Sequence, residues 1–132
     1  MLMNMGMMNA QSLAPGNLVL NGTFDTDLSG WSYTAGRWEW ESGKAKVIDV
    51  DGIFQDIGVV SGQDYTVEFE ANGTGVIQIR LGSIHGAGII GTTTDPSGLV
   101  SVTGTASTGG SSLNLYCSTF LGTIDNIVVI PV

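Results

Sequence analysis

The chain has 132 residues, enough for one folded unit around a single core and too few for two. Twelve acidic against four basic residues give a formal net charge of −8, which argues against phosphate backbones and anionic lipid surfaces as partners: no nucleic acid and no membrane. Charged residues make up only 12%, against roughly 25% in an average soluble domain, and 20 glycines with many Ser and Thr supply the polarity, so the surface suits a protein that lies against neighbours.

The first 16 residues, MLMNMGMMNAQSLAPG, hold all five methionines and no charged side chain. A secretory signal needs Lys or Arg ahead of an apolar run, and here Asn4 and Asn9 interrupt the run instead. Gly6 and the lack of a basic face exclude an amphipathic membrane helix, and no stretch approaches the roughly 18 apolar residues of a membrane span. The segment is therefore expected to be an extended arm over 1–16, preceding a domain over 17–132. Its flexible apolar side chains, Met1, Leu2, Met3, Met5, Met7, Met8 and Leu13, are suited to docking on an irregular apolar partner.

From Asn17 onward, short apolar and polar alternations are separated by Gly, Ser, Asn and Asp, the pattern of an all-β sandwich or barrel. NLVL (Asn17 to Leu20) reads as a first short strand. RWEWE sets Trp38 and Trp40 on one face and Arg37, Glu39 and Glu41 on the other, and Ser42–Gly43 turns the chain into KAKVIDV. GIFQDIGVV is a further strand region. In DYTVEFEA, Tyr65, Val67, Phe69 and Ala71 face the core. Asn72–Gly73 in NGTG predicts a tight hairpin, since Asn-Gly supplies the positive φ angles of a primed turn. VIQIRL returns with Ile77, Ile79 and Leu81 inward and Gln78 and Arg80 outward. GSIHGAGIIGTTTDPSG reads as a loop with one short strand around Ile89–Ile90. LVSVTGT, SLNLYCS and TIDNIVVI complete eight or nine strands, with Pro131 ending the last. The expected fold is all-β, an antiparallel two-sheet β-sandwich.

Catalytic chemistry has little to draw on, and no catalytic residue is assigned. His85, the one histidine, falls in a glycine-rich loop two residues from Ser83 and reads as a solvated side chain. The acid pairs Asp25/Asp27, Glu39/Glu41, Asp49/Asp51 and Glu68/Glu70 are spaced i, i+2, which on a strand puts both carboxylates on one solvent-facing side. GAGIIG matches the G-x-G-x-x-G dinucleotide pattern by letter, but TTTDPSG cannot continue as the helix that such a site needs. Zinc lacks Cys and His ligands, and no EF-hand spacing exists. Cys117, the one cysteine, excludes an internal disulfide, fits a reducing compartment and reads as a small buried hydrophobe.

Sugars stack on exposed rings, so the aromatics matter. Trp38 and Trp40 are either a stacking platform or a core layer. In SLNLYCS, Leu113, Leu115 and Cys117 share one face and Asn114 and Tyr116 the other. If Asn114, Tyr116, Gln78 and Arg80 share an outer sheet face, they form a polar and aromatic binding surface. The carbohydrate-binding candidates are Trp38, Trp40 and Tyr116.

The order of NLVLNGTFDTDLSGW, WEWESGKA, IFQDIGVVSGQDYTVEFEANGTG and GTIDNIVV resembles the carbohydrate-binding-module family 4/9-like, galactose-binding-like jelly rolls. The resemblance spans Asn17 to Ile130 and is nearest to the version found in bacteriophage virion proteins. It implies a jelly roll without enzymatic activity. It also implies a structural calcium near the first and last strands, held by the residues matching the family's carboxylates, Asp25 and Asp125; Asp25 stands where the family often has Glu.

Two functions follow as expectations. The first is a virion structural protein, a decoration or cement protein made in the host cytoplasm. It would dock on the major capsid protein at the capsid surface through the arm, as a closed homo-oligomer such as a homotrimer. A domain that stands alone, the methionine-rich arm and the low surface charge motivate it. The alternative is a carbohydrate-binding module that recognises a polysaccharide or cell-surface glycan.

Overall fold

The computed structural model describes residues 16–132. The expected docking residues Met1, Leu2, Met3, Met5, Met7, Met8 and Leu13, and with them all of the arm but Gly16, lie outside the described residues. Among these residues nine strands follow in chain order: β1 (Trp38–Glu41), β2 (Lys44–Val47), β3 (Gly52–Asp56), β4 (Asp64–Thr74), β5 (Val76–Gly82), β6 (Ile89–Thr94), β7 (Ser97–Thr105), β8 (Ser112–Cys117) and β9 (Leu121–Pro131). They form a five-stranded sheet in the order β1-β2-β9-β4-β7 and a four-stranded sheet in the order β3-β8-β5-β6. Every strand pair is antiparallel. The expected two-sheet jelly-roll sandwich is the fold observed.

The period-2 pattern explains how the layers meet. Tyr65, Val67, Phe69 and Ala71 of β4 face inward, as do Ile77, Ile79 and Leu81 of β5 and Leu113, Leu115 and Cys117 of β8, all fully or almost fully buried. Across the four-stranded sheet, Ile53, Leu115 and Ile79 stand opposite one another in a single row. Each such side chain contributes about 1.5–3 kcal/mol when removed from water, so the inner faces supply the main driving force for stacking the sheets.

Three local expectations are corrected. NLVL is not a strand: Leu18 N–H donates to the Val129 carbonyl at 3.0 Å, but the segment continues no ladder. It is held by side chains, with Asn17 Oδ1 accepting from Val19 N–H and Val129 N–H at 3.1 Å each. Asn72–Gly73 is not a hairpin turn, because both residues stay within β4, and β4 and β5 belong to different sheets. The chain crosses between sheets at Gly75, whose φ of 107° and contact with the Thr119–Phe120 backbone leave no room for a side chain. The region after Gly82 is more ordered than a loop with a two-residue strand: a 3-10 turn over Gly86–Gly88 leads into the six-residue β6.

Candidate functional site

The inward alternation that builds the core also determines what the four-stranded sheet presents to solvent. Its register sets Phe54 of β3, Asn114 of β8 and Arg80 of β5 side by side in one row, and Gly52, Tyr116 and Gln78 in the next. Asn114, Tyr116, Gln78 and Arg80 thus share one outer face, as the alternation implied. Asp51 precedes β3, and Ile84 and His85 come from the β5–β6 connection; together with Gly52, Phe54, Arg80, Asn114 and Tyr116 they line an open depression of about 190 Å³. That is below the roughly 300–1,000 Å³ of pockets that engulf a ligand, so the depression suits one ring-sized unit of a larger molecule.

Arg80 and Asn114 are locked in place by a shared partner. The Ile84 carbonyl accepts from Arg80 Nη1 at 2.9 Å and from Asn114 Nδ2 at 2.8 Å, tying the connecting loop to the sheet. Arg80 also donates through Nη2 and Nε to Gln78 Oε1, at 2.6 and 3.2 Å. Its guanidinium carbon lies 4.1 Å from the centre of the Tyr116 ring, within cation–π range. Asn114 is only 5% exposed, and its Oδ1 has no hydrogen-bond partner among the described residues. A buried acceptor left without a partner in this way is costly.

The rings expected to bind sugar do not come together. Trp38 is 3% exposed and belongs to the core, so its faces are closed to a ligand. Trp40, two residues along β1, is 40% exposed at the edge of the five-stranded sheet and donates through Nε1 to the Phe24 carbonyl at 2.6 Å. Tyr116 stands on the other sheet, beside Phe54 and Arg80. Of the two alternatives for Trp38 and Trp40, a stacking platform or a core layer, neither holds for the pair, since only Trp38 is in the core and Trp40 is partly exposed; Tyr116 stands apart, on the other sheet. The split arises because β1 sits at a sheet edge, where burial changes within two residues.

Asp25 is exposed, whereas Asp125 is largely buried, with its Oδ2 3.6 Å from Lys44 Nζ and its Oδ1 accepting from Asn126 N–H at 2.8 Å. Burial pushes the Asp125 carboxyl above its ordinary range, partly offset by the Asn126 N–H and by Lys44. Among the described residues no three His, Cys, Asp or Glu side chains are grouped to hold a metal. The set implied by the resemblance is smaller, Asp25 and Asp125 with backbone carbonyls, and in it Asp125 Oδ2 already faces the Lys44 ammonium at 3.6 Å. His85 is exposed, and its backbone N–H donates to Ser83 Oγ at 3.1 Å. Cys117 is fully buried, and desolvation raises its thiol far above the usual range.

No protein-family profile matches the sequence, and no curated protein is similar to it. Among solved structures, one described as "CBM4 structure and function" superposes with a TM-score of 0.58 at 18% identity, covering 86% of this chain and 99% of its own. CBM4 denotes a carbohydrate-binding module, a non-catalytic kind of domain. At this identity the likeness establishes the jelly-roll fold alone.

Proposed function

We propose that the chain is a non-catalytic glycan-binding module whose site is the depression around Tyr116. The observation that carries this reading is the composition of one small open pocket. Phe54, Tyr116 and Ile84 offer apolar surface, and Arg80, Asn114, Asp51 and His85 offer donors and acceptors beside it. Sugars present the same mixture, C–H faces edged by hydroxyls, and sites for such ligands combine apolar walls with a few placed polar groups. The fold shared with a carbohydrate-binding module supports the reading.

Affinity electrophoresis of the full chain through gels containing neutral and acidic polysaccharides tests it. Retardation in at least one polymer, lost in Tyr116→Ala with an unchanged circular dichroism spectrum, is the expected result. Free migration in every gel, or retardation that survives Tyr116→Ala, overturns it. The capsid-decoration reading, with its homotrimer and capsid-protein partner, draws on the arm over 1–16, the low surface charge and a sequence resemblance, and the likeness to a carbohydrate-binding module supports the glycan reading instead.

A further inference from the structure

The chain has four basic side chains and twelve acidic ones, and all sixteen lie within the described residues. Arg37 pairs with Asp49 at 3.6 Å, Lys44 with Asp125 at 3.6 Å and Lys46 with Glu41 at 3.1 Å. Arg80 alone has no carboxylate within ion-pair distance among the described residues, although acids outnumber bases three to one. Neutral groups hold it instead: the Gln78 amide oxygen, the Ile84 carbonyl and the Tyr116 ring. These contacts use one N–H on each guanidinium nitrogen, which leaves one of the five free on each terminal nitrogen.

Resting on the glycan-binding reading, we propose that the unit seated in this pocket is a uronic acid, with its carboxylate on the Arg80 guanidinium. A fixed, planar fork matches a carboxylate, and because it is already ordered, little conformational freedom is lost when the ligand arrives. Asp51 lines the same pocket and supplies oxygen acceptors for a sugar's hydroxyls. A neutral sugar would cover the guanidinium without supplying its counter-charge. A bare phosphate would present no C–H face to the Phe54 and Tyr116 rings that line the pocket.

The test compares each polyuronate with its own methyl ester, using polygalacturonate, alginate and glucuronoxylan alongside neutral galactan, xylan and β-glucan, with the full-length wild-type chain and Arg80→Gln. Wild type is expected to bind the free acid of at least one polyuronate about tenfold or more tightly than its ester, a difference of about 1.4 kcal/mol. Arg80→Gln is expected to erase that preference. Because the ester comparison needs only wild type, it stands even if the variant fails to fold. Equal affinity for acid and ester overturns the uronate proposal, as does binding confined to neutral polymers; in both cases the glycan reading survives. Binding to no polysaccharide overturns both.

Discussion

Asn114 presses into space that exists because residue 52 is glycine: a Cβ on Gly52 would lie 2.5 Å from Asn114 Oδ1 and 3.3 Å from Cδ1 of the Tyr116 ring. The two residues face each other diagonally across β3 and β8, where Gly52 is opposite Tyr116 and Asn114 is opposite Phe54. One missing side chain therefore sets the floor of the pocket.

Gly52→Ala is accordingly expected to displace the Asn114 amide and the Tyr116 ring while the sheet persists, since both obstructing groups are side chains. Loss of about one hydrogen bond's worth of binding, about 1–1.5 kcal/mol, corresponds to roughly tenfold in affinity. Titration calorimetry with a retained glycan measures the loss, and a melting curve close to that of wild type shows that the fold is kept.

Gln55 is a polar side chain in a core position, 6% exposed. Its Oε1 accepts from Leu20 N–H at 2.8 Å, and its Nε2 donates to the Leu20 carbonyl at 2.8 Å and the Gly30 carbonyl at 3.2 Å. Gln55→Leu preserves bulk but leaves those backbone groups unpartnered, and a destabilisation of about 2–4 kcal/mol is expected from urea unfolding. A change under 1 kcal/mol would show that the Leu20–Gly30 segment is held by other contacts.

Asp125 gives a pH dependence of definite sign. Because its folded carboxyl titrates above its unfolded value, the folded state binds the proton more tightly. Its contribution to stability is full below the unfolded value of 3.8 and is lost as pH rises through the raised folded value. Asp125→Asn removes this loss and keeps an acceptor for Asn126 N–H, so its urea midpoint at pH 7 should exceed that of wild type, with the gap shrinking at pH 3. Asp56 works in the opposite direction, since hydrogen bonds from Ser111 and Gly58 lower its carboxyl. Calcium that raises the midpoint of wild type but not of Asp125→Asn would place an ion at this carboxylate.

Cys117 is closed to solvent between the sheets. A thiol-reactive disulfide reagent should leave it unmodified in the native protein and label it stoichiometrically in urea, with native-state labelling governed by opening of the sandwich. Fast native labelling would show that the β8 region opens independently.

Much of the site was readable before folding, and what was missed was missed for one reason. In β5 and β8 the apolar and polar residues alternate in step with the sheet faces, so Ile77, Ile79, Leu113 and Leu115 fell inward and Gln78, Arg80, Asn114 and Tyr116 outward. In β3 the pattern is inverted: Phe54 faces out into the pocket, while Gln55 is buried as a hydrogen-bonding peg. Hydrophobic patterning reads Phe as inside and Gln as outside, so both were invisible to it. His85 was read correctly as exposed, but its place beside Tyr116 depends on how the β5–β6 connection folds back over the sheet.

The sequence alone determined the class of fold and the face each residue of the regular strands would take, because a strand's period of two is local and burial rewards it directly. It could not determine which strands would be neighbours. Asn72–Gly73 looked like a turn, yet the crossing came at Gly75, because β4 gains more by pairing with β9 and β7 than by folding back on β5. Pairing between distant segments also buried Trp38 while leaving Trp40 at an edge, and it left Arg80 as the one Lys or Arg side chain without an ion-pair partner among the described residues. Those relations depend on strand order and register, which arise from contacts far apart in the chain, and the tertiary structure decided them.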